Sequence, residues 1–184
     1  MMALWILLGI IVVVVLWFLG AYNGLVSLRN QTKNAWAQID VQLKRRHDLI
    51  PNLVETAKGY VAHERGTLEA VTQARASAMK AQGAAQAAQA EGLLGSALSK
   101  FFAIAENYPE LKANQNFLAI QEELASTENK ISFARQFYND RVMILNTRIE
   151  TVPTNLVANL GGFQKAEFFE IQAGAEREVP AVKF

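Results

Sequence analysis

KANQNFLAIQEELASTENKISFARQFYNDRVMILNTRIE, residues 112–150, decides the fold. Within it Phe117, Ile120, Leu124, Thr127, Ile131, Ala134, Tyr138, Val142, Leu145 and Ile149 recur at steps of three and four. That period lays them along one face of an α-helix. At about 1.5 Å per residue the helix is roughly 55 Å long. So long an amphipathic helix must bury its stripe on other helices. The matching partner lies earlier in the chain, where Leu25, Leu28, Thr32, Trp36, Ile39, Leu43, Arg46 and Ile50 keep the same spacing. Two such helices predict an antiparallel bundle.

Outward from this pair the pattern stays helical. Val54, Ala57, Val61, Leu68 and Val71 hold the register beyond Pro51. Proline removes a helical hydrogen bond, so either one bent helix passes through residues 49–50 or a second helix starts near residues 48–51. The unbroken register favours the bent helix. Residues 81–92, AQGAAQAAQAEG, carry one charge and no large apolar side chain, and are expected to pack poorly, as a helix end or a mobile loop. Leu93, Leu94, Leu98, Phe101 and Phe102 predict a short apolar helix that stops before Tyr108 and Pro109. No alternating strand pattern of useful length occurs. The chain is therefore read as all-α: an N-terminal transmembrane helix followed by a long antiparallel, four-helix-type bundle. The expected division is an anchor over residues 1–24, a bundle over 25–163 and a docked tail over 164–184. The apolar ending, Val179 to Phe184, favours docking over solvation.

The transmembrane assignment rests on residues 1–28, which contain no charged side chain. A bilayer core of about 30 Å needs roughly 20 apolar residues, and residues 3–22 supply them. Trp5 stands near one end of the run, and Trp17, Phe18 and Tyr22 near the other, as interfacial aromatics do. A cleaved signal peptide would begin with Lys or Arg and have a shorter apolar run, so a retained anchor is expected. Arg29, Lys33 and then Lys44-Arg45-Arg46 follow the span, while no basic side chain precedes it. Basic residues stay on the cytoplasmic side, which favours a cytoplasmic bundle. Gly20 and Gly24 form a GxxxG pair at the span's edge, read as a flexible exit.

A net charge of +1 in 184 residues gives no basis for nucleic-acid binding. The absence of cysteine excludes disulfides, thiol catalysis and Cys-ligated metals. Polar residues of mixed type concentrate in residues 30–64. Within that block Arg45, Arg46, Asp48 and Glu55 are the candidates for partner binding or an internal polar network. Arg29 and Lys33 lie closest to the span and are the candidate lipid-headgroup contacts. Asp40 and Glu55 are candidate partners for Arg141 and Arg148. His47 and His63 could serve a metal-dependent hydrolase only if the chain reversed between them. On one helix they stand about 24 Å apart. His63-Glu64 also lacks the second histidine of a HExxH site. No metal site, cofactor or catalytic residue is expected.

The stretch YNGLV at residues 22–26, then Arg29-Asn30, then AWAQIDVQLKRRHDLIPNLVETAKGYVAHE at 35–64 closely resembles the LemA family of bacterial membrane proteins. The likeness continues through VTQAR at 71–75, YPELKA at 108–113, IQEEL at 120–124, ENKI at 128–131, Ala134-Arg135 and AEFF at 166–169. It implies one N-terminal transmembrane helix, an antiparallel helical bundle and a place in the bacterial inner (plasma) membrane. It brings no established catalytic residues. Relatives are encoded near membrane metalloproteases or belong to magnetosome membrane systems. The expected function is a non-catalytic membrane-anchored scaffold or adaptor in membrane organisation or envelope quality control. Its expected partners are membrane lipids, other membrane proteins (a membrane protease by family analogy) and further copies of itself. A membrane-shaping or lipid-organising protein is the alternative.

Overall fold

The computed structural model describes residues 1–61 and 63–170. Among these described residues six helices follow in order: α1 (Met2–Lys58), α2 (Arg65–Ala78), α3 (Gly83–Ala105), α4 (Pro109–Lys112), α5 (Gln115–Glu150) and α6 (Thr154–Leu160). Among the described residues there is no strand. The all-α reading holds. The chain forms two compact units. One comprises Met1–Ile39 with Ala134–Ala166; the other comprises Asp40–Phe133 with the described residues from Glu167.

In the first unit the early part of α1 and the end of α5 run antiparallel. Trp36 meets Tyr138 at 5.4 Å between ring centroids. One turn earlier, Thr32 Oγ1 donates to the Leu28 carbonyl at 3.0 Å. Leu25 packs with Leu145 and Ile149, and α6 adds Val157 and Ala158 to the same core. From Leu4 to Leu16 every large apolar side chain is at least 50 % exposed. The helix that carries it, α1, is the one helix among the described residues with an apolar window long enough to cross a membrane. An uncovered apolar run of this length fits lipid, not water.

The end of α6 shows why two glycines stand there. The Phe163 amide donates to the Ala158 carbonyl at 2.9 Å and the Gly162 amide to Asn159 at 3.3 Å. This helix-ending pair of bonds needs a left-handed residue, and Gly162 has φ +64°. At Gly161 a Cβ would come within 2.7 Å of the Phe163 ring. The chain thereby turns back so that Phe163 meets Tyr22 edge-on at 5.5 Å. Asn146 then holds the segment that follows through two bonds to the Ala166 backbone, both 2.9 Å.

The second unit is a four-helix core built from α2, α3 and parts of α1 and α5. Ile50, Leu53, Leu68, Val71, Leu94, Leu98, Phe101, Phe117 and Leu124 form its interior. Phe101, Phe102 and Phe117 make a ring cluster with centroids 5.5 to 6.2 Å apart. Asn114 caps α5, its Oδ1 accepting from the amides of Asn116 and Phe117 at 2.9 and 3.2 Å. The Tyr108 hydroxyl donates to Glu64 at 3.4 Å. Desolvation, then the Glu64 carboxylate, pushes this phenol above its ordinary value.

Two expectations are decided here. The helix does not restart at Pro51: α1 runs through it to Lys58. Residues 81–92 do not pack poorly: from Gly83 on they form the first half of α3, with Ala84, Ala87, Ala88 and Glu91 buried. Small side chains at steps of three and four let helix backbones approach closely, so burial needs no large residue. Within the first part of the expected tail, Phe169 is 0 % exposed. The tail's ending, residues 179–184, lies outside the described residues.

Candidate functional site

The second unit holds a charged network built around one acid. Ala84, Ala87, Ala88, Glu91, Leu94 and Leu98 share the inward face of α3, and this register carries the Glu91 carboxylate into the interior. Its side chain is 1 % exposed. Arg46 Nη1 donates to Glu91 Oε2 at 3.3 Å, and His47 Nε2 lies 2.5 Å from Glu91 Oε1. Each carboxylate oxygen thus has its own nitrogen partner. Arg46 Nη1 also meets Glu128 Oε2 at 2.9 Å. Arg46 and His47 are themselves buried. A Cβ on Gly95 would stand 3.6 Å from Arg46 Nη2, so this glycine is the floor beneath the guanidinium.

A second device lies one turn further along α1. Pro51 has no amide hydrogen, so it leaves the carbonyl of His47, four residues earlier, without its helical donor. Arg75 of α2 replaces it: Nε donates to the His47 carbonyl at 2.6 Å. The proline survives inside the helix because a neighbouring helix supplies the missing hydrogen bond.

Arg45 points elsewhere. Its Nε and Nη2 both donate to Glu123 Oε1, at 3.1 and 2.6 Å, with the two side chains 51 % and 41 % exposed. So exposed a pair contributes up to about 1 kcal/mol and is screened by salt. A double-mutant cycle of Arg45→Ala and Glu123→Ala is expected to give a coupling of at most that size, smaller in high salt. A coupling well above it, indifferent to salt, would show a buried pair instead.

The structure brings Arg46 into this charged group, while Arg45 pairs separately with Glu123. Asp48 and Glu55 stay outside it: Asp48 is exposed, and Glu55 pairs with Lys58 on its own helix at 2.8 Å. Arg141 bonds Gln31 at 3.1 Å and stacks on Phe137. Arg29 lies over the Phe163 ring at 5.1 Å, and Lys33 is exposed. His47 is buried against Glu91, while His63 is exposed in the turn after α1. Among the described residues no group of three His, Cys, Asp or Glu is placed to hold a metal.

Sequence reasoning missed Glu91, Glu123, Glu128 and Arg75. Glu91 did leave a signal. It is the lone charge in an Ala/Gln run and stands at the buried register of that helix. A charge there needs partners of opposite sign.

An all-α chain with an uncovered apolar helix and an internally satisfied ion network is a membrane-associated helical bundle protein. Residues 35–184 match the LemA family, and the chain belongs to it. It is 26 % identical over 170 residues to Protein LemA of Metamycoplasma hominis, covering 90 % of this chain and 74 % of that one. It is also similar to Magnetosome proteins MamQ 1 and MamQ 2 of Paramagnetospirillum magneticum, 23 % identical over 175 residues and 81 % of this chain. The chain spans 64 % of the length of those magnetosome proteins.

Proposed function

We propose that this chain is a non-catalytic scaffold or adaptor, anchored in the bacterial inner membrane by α1, with its bundle on the cytoplasmic side. It gathers membrane proteins and further copies of itself. The observation that carries the reading is the closure of the charged network. Glu91, the fully buried acid of its densest polar cluster, is occupied on both oxygens by Arg46 and His47. A carboxylate so enclosed fixes helix packing and presents no base to a substrate. The exposed polar residues, Lys33, Lys44 and the Arg45–Glu123 pair, are left for partners. The names of the magnetosome relatives support a role in membrane organisation, and the family resemblance supports a membrane protease among the partners.

Amine-reactive crosslinking in intact membranes tests the proposal. Discrete partner proteins, joined through Lys33 or Lys44, are the expected result. Recovery of the uncrosslinked chain alone, under conditions that join known neighbours in the same membranes, sinks the scaffold reading. Self-crosslinks without other partners would leave a homo-oligomeric membrane organiser.

A further inference from the structure

Residues 151–164, TVPTNLVANLGGFQ, contain no ionisable side chain, although Arg148, Glu150 and Lys165 stand at their two ends. α6 lies within this segment. One of its sides is satisfied by the protein: Thr154, Val157 and Ala158 are buried. The opposite side is apolar and bare. Leu156 is 61 % exposed and Leu160 78 %, four residues apart on one face of α6, and Val152, in the turn just before the helix, is 74 % exposed.

The position of this stripe along α1 gives it a meaning. The core that receives Val157 and Phe163 also takes Phe18, Ala21 and Leu25. Phe163 contacts both Tyr22 and Arg29. The segment therefore docks on α1 between Phe18 and Arg29, a rise of about 16 Å. Those are the last residues of the uncharged run and its first charge. If residues 3–22 fill the hydrocarbon core, Tyr22 and Phe163 stand at its boundary, where aromatic rings settle. Arg29 and Lys165 then stand at headgroup level.

Resting on the membrane-anchored reading above, we infer that α6 is an interfacial element: Val152, Leu156 and Leu160 insert into the lipid surface beside the span. A short amphipathic element at this level buries its apolar face about 5–10 Å into the headgroup–acyl boundary. The uncovered span next to it already requires lipid at this place, so the same bilayer covers both. The chain would thus touch the membrane at a second site, remote in sequence from its anchor, and this second site fixes the rotation of α1 about its own axis.

The absence of cysteine makes the test direct. Leu156→Cys and Leu160→Cys, each labelled with a nitrobenzoxadiazole dye, are placed in the full chain in phosphatidylcholine–phosphatidylglycerol vesicles. Ile10→Cys reports the span, and Leu93→Cys, also exposed in the folded chain, reports a surface of the other unit. Lipids brominated near the headgroup end of the acyl chain are expected to quench the dyes at 156 and 160 more than about twofold over that at 93, and lipids brominated deep in the chain, in separate vesicles, to quench the dye at 10. Iodide is expected to quench them less than at 93. If the dye at 10 is quenched by lipid while 156 and 160 behave like 93, the inference fails and the anchor stands. If the dye at 10 also escapes, the anchor reading fails and takes the inference with it. Protection from iodide without bromine quenching, lost as protein is diluted in lipid, would show a second copy covering the stripe and would overturn the lipid assignment.

Discussion

Glu91→Ala lowers the stability of the bundle by about 3–5 kcal/mol, the scale for breaking a buried ion pair from one side. The loss comes less from attraction forgone than from what is left behind. Arg46 keeps Glu128, whose side chain is 51 % exposed, and His47 loses the carboxylate 2.5 Å from its ring. A guanidinium and an imidazole then stay buried with too few acceptors. Glu91→Gln keeps the shape and one acceptor oxygen, so its loss is expected to be smaller but still clear. Removing the whole group, with Glu91→Leu, Arg46→Met and His47→Phe together, is expected to recover most of the stability, since apolar packing replaces the charges. Urea unfolding of the full chain in detergent, followed by far-ultraviolet circular dichroism, reads all three variants. A loss under about 1 kcal/mol for Glu91→Ala would mean that water reaches the site and the network is not closed.

Arg75→Met is expected to cost about 1–3 kcal/mol, the range for a carbonyl stripped of its donor in a partly buried setting. The sharper expectation concerns Pro51. Its ring is exposed, so Pro51→Ala removes no core packing. It restores an amide hydrogen aimed at the His47 carbonyl. In the original background the alanine competes with a bond that Arg75 already makes. In the Arg75→Met background it supplies the only helical donor and is expected to return most of the loss. The two substitutions are therefore non-additive, and the coupling is the measurement. Additive effects would show that Arg75 acts through packing of its methylene stem and not through the bond to the carbonyl.

The helices were legible where burial follows a period. The stripe read in residues 112–150 is the buried face of α5: Phe117, Leu124, Thr127, Ile131, Tyr138, Val142, Leu145 and Ile149 are all enclosed. The apolar run before Arg29 was equally plain, because length and lack of charge are properties of the chain itself. Residues 81–92 were misread because alanine carries little hydropathy, while its value in a helix contact is its small size. The path through Pro51 was undecidable from α1 alone, since the donor that satisfies the helix comes from α2. The same holds for the charged site. Arg45 and Arg46 stood out by density, but Glu91, Glu123 and Glu128 lie far away in sequence and become partners only by helix packing. Asp48 and Glu55 share that density and face outward.

The glycine pair that ends α6 has a consequence in the language of heredity. Every single-base change at the first or second position of a glycine codon that still specifies an amino acid adds a side chain. At position 161 that side chain meets the Phe163 ring, and at 162 it forces a left-handed backbone on a residue that resists it. At 161 every missense step meets that ring, and at 162 the mildest is to aspartate, which tolerates this backbone region better than other side chains, although neither glycine contributes a functional group. Selection on this short turn would act on the path of the chain, not on its chemistry.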